Sequence, residues 1–202
     1  MKKIFYALFI SLMVSMAVTA YSDGIQEDLQ SNLVRLHIIA NSDSNEDQAV
    51  KLKVRDVVLA ETEKELEINT KEEIVKNLDK FEEIANEVLA ENGFPYTAHA
   101  VYGKFDFPKK EYKNITLPAG EYYGVRLILG EGEGHNWWCV MYPPLCVADD
   151  SSMEMDGKSQ ELLKQSLDEE TYEVVTGEKS DITVKFKAVE LIQELKQKIK
   201  NK

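Results

Sequence analysis

The sequence predicts an α+β domain in which an antiparallel sheet of about four to five strands packs against helices. Three observations carry that prediction. Helical periods dominate residues 45–92, strand-like alternation dominates 96–141, and helical patterning returns after residue 159. Segregated runs of this kind fit α+β, whereas a doubly wound parallel sheet requires strands and helices in strict alternation. No internal repeat interrupts the order.

The first element is an export segment. Lys2 and Lys3 precede an uncharged stretch from Ile4 to Ser22, and Val18-Thr19-Ala20 places small residues before a cleavage point after Ala20. The same stretch approaches the roughly 20 residues that span a bilayer, so a cleaved signal peptide (1–20) and an uncleaved N-terminal anchor both stand. Either one puts the body outside the cytoplasm. Residues 21–32 read as a linker, and 33–202 as a single α+β domain.

Residues 33–40, LVRLHIIA, are apolar and β-branched enough for a buried strand, which Asn41-Ser42-Asp43-Ser44 ends. Ser44 and Asp47 form a capping box that opens a helix from Asn45 to about Thr62, with Val50, Val54, Val57 and Val58 on one face. Thr70 and Glu73 open the next helix in the same way. There Ile74, Leu78, Phe81, Ile84, Ala85, Val88 and Leu89 recur at spacings of three and four until Asn92-Gly93 ends the run. From Pro95 the pattern changes. Tyr96 to Tyr102, Tyr122 to Leu129 and Asn136 to Met141 read as strands of an antiparallel meander, with turns at Gly103, Pro118-Ala119-Gly120 and Gly130 to Gly134. Asp149 to Lys158 is an acidic connector and Ser159 to Leu167 a short helix. Residues 182–199 fit both periods, and a C-terminal helix docking on the sheet is favoured.

Composition removes several functions. The 202 residues carry a formal net charge of −12, with 44% hydrophobic and 30% charged residues, as an ordinary globular protein does. Nucleic-acid binding needs clustered Lys and Arg, but the only basic cluster is Lys196, Lys198, Lys200 and Lys202, which suits a helix end. No cofactor and no small-molecule substrate is expected.

The segment from Gly120 to Cys146, GEYYGVRLILGEGEGHNWWCVMYPPLC, holds both tryptophans and both cysteines of the chain. Gly130, Gly132 and Gly134 do not make a phosphate loop, because a strand follows them and Glu131 and Glu133 would repel phosphate. A flexible hairpin loop is expected instead. His135 cannot serve Cys139 as a base, since four residues along a strand span about 13 Å. His37 and His99 remain open as partners for Cys139 from neighbouring strands. The three histidines have no metal-ligand spacing, the cysteines are too far apart for a knuckle, and Asp149, Asp150, Glu154 and Asp156 lack the spacing of a calcium loop. No metal site and no catalytic set is expected. Cys139 and Cys146 are candidates for one disulfide across a turn at Tyr142 and Pro143, with two buried thiols as the alternative. Trp137 and Trp138 point to opposite sides of a strand, so one ring enters the core while the other faces solvent or a partner.

The segments RLHIIANSDSNEDQAVKLKVRD (Arg35 to Asp56), YGKFDFP (Tyr102 to Pro108) and LPAGEYYGVRLILGEGEGHNWWCVMYPPLC (Leu117 to Cys146), behind an exported N-terminus, closely resemble stage II sporulation protein R of endospore-forming bacteria. The resemblance covers about residues 33–150 and leaves 151–202 as a C-terminal helical extension. It implies a signalling protein that is not itself an enzyme. Such a protein is made in the forespore and exported into the intermembrane space. There it activates a membrane-embedded aspartic protease of the mother cell, stage II sporulation protein GA, which processes the sigma-E precursor. The candidate receptor contacts are Trp137, Trp138, Asn41, Asp43 and Gly132. The alternative from the residues alone is an extracytoplasmic Cys-dependent or cell-envelope hydrolase.

Overall fold

The apolar run after Leu33 becomes the central strand of the molecule, with both of its faces buried. A computed structural model describes residues 2–64, 70–112, 115–143, 145, 157–177 and 182–200. In chain order the elements are α1 (Lys2–Asn32), β1 (Val34–Ile39), α2 (Asn45–Lys64), α3 (Lys71–Lys76), α4 (Leu78–Glu91), β2 (Ala98–Phe107), β3 (Lys110–Glu111), β4 (Thr116–Leu117), β5 (Gly120–Leu129), β6 (Asn136–Tyr142), α5 (Gly157–Ser166), α6 (Glu169–Thr176) and α7 (Ile182–Lys200).

The main sheet has four strands in the order β2-β5-β1-β6, and β3 pairs with β4 in a separate ribbon. β1 runs parallel to β5, with Leu36 opposite Val125, and antiparallel to β6, with Leu36 opposite Cys139. β2 lies antiparallel to β5 along its whole length, from Ala98 opposite Leu129 to Phe107 opposite Gly120. The α+β class and the strand number follow the sequence, but the sheet is mixed and not antiparallel. The expected meander is also corrected, because β5 and β6 are joined by a short loop and yet separated by β1. Hydrophobic alternation tells which face of a strand is buried and is silent on which strand lies beside it. A strand buried on both faces, as β1 is, belongs in the interior of a sheet covered on both sides.

Two cores result, one on each face. Leu36, Ile38, Val125, Leu127, Leu129 and Cys139 pack against Val50, Val54 and Val58 of α2 and Phe81, Ile84, Ala85, Val88 and Leu89 of α4. Phe107, Tyr122 and Val140 pack against Ile25, Leu29 and Leu33 near the end of α1, Leu163 of α5, Tyr172 and Val175 of α6 and Val189 of α7. Arg35 lies wholly inside this second core. Its guanidinium donates to the Pro108 carbonyl at 3.2 Å and sits 4.4 Å and 5.0 Å from the ring centres of Phe107 and Tyr122. Burial pulls its pKa below the ordinary arginine value.

The helices begin where their caps predict. Ser44 Oγ accepts from the Asp47 amide at 3.1 Å, and Thr70 and Glu73 form a complete reciprocal box. Asn77 divides the expected single helix into α3 and α4. Val57 is 37% exposed, because the buried stripe of α2 runs through Val50, Val54 and Val58 at intervals of four. The C-terminal segment is helical as favoured, but it packs on α1 as well as on the sheet. Gln193 donates to Ser22 Oγ at 3.0 Å, while Leu195 and Ile199 remain exposed.

The linker expected at residues 21–32 is corrected. Those residues continue α1 without a break, with Ser22, Ile25, Gln26 and Leu29 buried, and Gln26 and Gln30 both donate to the Glu121 carbonyl, at 2.8 Å and 3.2 Å. Their polar composition suggested a linker, but it is the polarity of a helix held by its neighbours' backbone. The first half of α1 is different in kind: every large apolar side chain from Ile4 to Met16 is more than half exposed. By length and composition this helix can cross a membrane, which fits a signal peptide or an anchor. If residues 21–32 belong to the fold, replacing the fully buried Leu29 by Ala in a chain starting at residue 21 costs about 2–5 kcal/mol in urea unfolding. A linker residue would cost less than about 0.5 kcal/mol.

Candidate recognition site

With β1 inserted between β5 and β6, the loop from Gly130 to His135 must pass over the C-terminal end of β1. It is fastened there by the turn that ends that strand. The amides of Glu133 and Gly134 donate to the carbonyls of Asn41 and Ala40 at 3.1 Å and 2.9 Å, and the Glu131 amide donates to Asn41 Oδ1 at 3.0 Å. The His135 amide and ring both meet Asp43 Oδ1, at 2.6 Å and 2.5 Å, and hold that carboxyl below its ordinary pKa. The flexible hairpin loop expected here is instead a clamped arch. Gly134 passes so close to Ser42 that an added Cβ would collide with the Ser42 carbonyl. Gly132, at φ +66°, lies above Ile128, whose Cγ2 would be 2.7 Å from an added Cβ.

Beneath the arch, Asp47 gathers the turn. Its carboxylate accepts from Asn41 Nδ2 at 2.8 Å, Ser42 Oγ at 2.5 Å and the Tyr96 hydroxyl at 2.5 Å. Burial works against its charge, and the hydrogen bonds from Ser42, Tyr96, Asn41 and Ser44 together outweigh that, so its pKa falls. One turn along α2, the Lys51 ammonium donates to the His135 carbonyl at 2.8 Å and to Gln48 Oε1 at 2.6 Å. A further turn along, the Arg55 guanidinium lies 4.3 Å from the centre of the Trp137 ring.

The two tryptophans do not divide into one buried and one free ring. Both are half-buried, Trp137 against the first core and Trp138 against the second. The reason is that each ring packs in part against the core on its own side of β6. Trp138 stacks on His37 at 3.6 Å with 20° between the planes and meets Phe107 edge-on at 5.1 Å. The register sets Arg126, His37 and Trp138 side by side across β5, β1 and β6. Arg126 Nε donates to His37 Nδ1 at 3.1 Å, the guanidinium lies 3.9 Å from the Phe105 ring centre, and His37 Nε2 donates to Asn136 Oδ1 at 2.7 Å. Burial lowers the His37 pKa to about 4, against the Asn136 bond, which favours the charged form. The imidazole is therefore neutral at pH 7, with the proton on Nε2 as the two bonds require.

Cys139 is buried in β6 and is disulfide-bonded, while Cys146 lies outside the described residues. Neither open histidine approaches Cys139 as a base: His37 occupies the opposite face of the sheet, and His99 pairs with Glu82 at 2.9 Å. Among the described residues no group of three or more His, Cys, Asp and Glu could hold a metal ion. The acidic connector from Asp149 to Asp156 lies outside the described residues.

The family model described as stage II sporulation protein R matches residues 30–152. The chain belongs to that family. A stage II sporulation protein R from Bacillus subtilis (strain 168) is 38% identical over 181 residues, covering 80% of each chain. No solved structure matches. Membership gives the chain a sporulation role, and the segments that carry the stage II sporulation protein R signature are those that meet here. RLHIIANSDSNEDQAVKLKVRD supplies His37, Asn41, Asp43, Asp47, Lys51 and Arg55, and the Gly120 to Cys146 segment supplies Arg126, the arch and both tryptophans.

The sequence named Asn41, Asp43 and Gly132, which the arch brings together with Trp137 and Trp138 on its two flanks. It missed Asp47, read only as half of a capping box, and the Arg126-His37 pair, which appears once the register of β1 against β5 is known. The His37 pKa has a consequence for stability. The unfolded chain takes up the proton near pH 6.5 and the folded one only near pH 4, so acidification across that window favours unfolding. Urea unfolding at pH 7 and pH 4.5 is expected to show a smaller loss of stability on acidification for His37→Gln than for the unaltered chain. Equal losses would show that the imidazole is not held neutral.

Proposed function

We propose that the chain is an extracytoplasmic sporulation signal that activates a membrane-embedded aspartic protease, stage II sporulation protein GA, and so promotes processing of the sigma-E precursor. The observation that carries this reading is the continuity of α1, joined to the family membership. An exposed apolar segment able to cross a membrane runs straight into a helix built into the second core, so the segment that enters the membrane delivers a folded body to the far side. The expected route is from the forespore into the intermembrane space. A ligand activates a protease by binding its active arrangement more tightly than its inactive one, which asks for a preorganised surface and not for catalytic groups. The clamped arch is such a surface. The hydrolase alternative is disfavoured by the burial of Cys139, its disulfide-bonded sulfur and the absence of a facing histidine among the described residues.

Co-expression of this chain, the protease and the precursor in a non-sporulating host tests partner, activity and compartment together. Processing is expected to rise about tenfold or more with the full chain, and to fall to background when residues 2–20 are deleted. Processing that proceeds without the chain, or hydrolysis of envelope material by the chain alone, would refute the reading.

A further inference from the structure

We propose that the sheet face bearing Phe105, Arg126, His37 and Trp138 docks a protein segment that presents a carboxylate between apolar side chains, the carboxylate closing on the Arg126 guanidinium. The proposal rests on the reading of the chain as a ligand for a membrane protease; it specifies which face meets that receptor and what the receptor must offer.

Arg126 is one of the cations that no described carboxylate meets, and unlike Arg35 and Lys51 it is partly exposed. Asp and Glu outnumber Lys and Arg by 36 to 24. Lys80, Lys109, Lys185, Lys196 and Lys200 all pair with carboxylates, as does Arg55. Arg126 pairs with none among the described residues. Its Nε is committed to His37 and its plane rests on Phe105, which fixes the guanidinium and leaves its two terminal amino groups without a hydrogen-bond partner among the described residues. A fixed fork of two N–H groups is the complement of a carboxylate, which it binds through two parallel hydrogen bonds.

The surroundings decide what carries that carboxylate. Val101, Ile39, Ile128 and Trp138 are half-buried around the row and are apolar. Gly132 passes above Ile128 without a side chain of its own, which leaves this part of the face uncovered. A free phosphate would want several donors, and here there is a single guanidinium in an apolar frame. An acidic side chain flanked by apolar ones fits both features. Arg and Trp are also the residue types that dominate protein interfaces. His37 adds no second cation, since its Nδ1 lone pair is occupied by Arg126.

The test uses the full chain in the co-expression system. Arg126→Gln keeps most of the side chain's bulk and removes the charge, and is expected to cut processing about thirtyfold or more. Arg126→Lys, which keeps the charge without the fork, is expected to lose less, and Lys80→Gln on α4 nothing. If Arg126→Gln and Arg126→Glu accumulate normally and support processing at the unaltered rate, the docking face is wrong while the ligand reading survives. If the unaltered chain supports no processing, it is the ligand reading that fails. Should the Arg126 variants fail to accumulate, a photocrosslinking residue at Val101 in an otherwise unaltered chain decides. Capture of the protease is expected. Capture of only a second copy of this chain, or no capture while processing proceeds, overturns the proposal.

Discussion

The constraint on which the rest depends is the insertion of β1 between β5 and β6. A strand with Val34, Leu36 and Ile38 on one face and Arg35 and His37 on the other needs cover on both sides and a hydrogen-bonding neighbour on both edges. Meeting that need places helices α2 and α4 on one face and α1 with α5 to α7 on the other. It also separates two strands that a short loop joins. The loop then has one route, over the end of β1, and the turn at Asn41 to Asp43 becomes its anchor. The arch is thus a product of topology: it exists because a strand lies beneath it.

Much of this was legible in the chain. The reciprocal box at Thr70 and Glu73, the apolar stripe of α4, the end of β5 and the start of β6 follow from local chemistry, and local chemistry is what a sequence shows directly. What was not legible depends on partners remote in sequence. Nothing near Leu36 says that its neighbours are Val125 and Cys139, so the parallel β1–β5 pair was missed. With it went the contact between Arg126 and His37. Asp47 was recognised as a cap residue, but its main role is to receive Asn41, Ser42 and Tyr96, the last of them 49 positions away. Trp137 and Trp138 were rightly placed on opposite faces. The expectation that one would be free failed because each ring packs in part against the core on its own side of β6.

The same architecture makes recognition physically reasonable. The arch is tied down by backbone amides, the carboxylates of Asp43 and Asp47 beneath it are hydrogen-bonded, and the tryptophans are held by Arg55 on one side and His37 on the other. Little entropy is left to lose when such a surface meets a partner. Because the second half of α1 is part of the fold, the body is joined to the apolar N-terminal segment through a continuous helix and not through a flexible tether.

Hydrogen exchange at the amides of Glu133 and Gly134 tests the central claim most directly, that the β5–β6 connection is clamped across the end of β1. Their bonds to Asn41 and Ala40 predict exchange comparably slow to that of the neighbouring β1 amides, with the Glu131 amide losing protection selectively in Asn41→Ala. Fast exchange at Glu133 and Gly134 in the unaltered protein would mean a free loop, and would contradict the account.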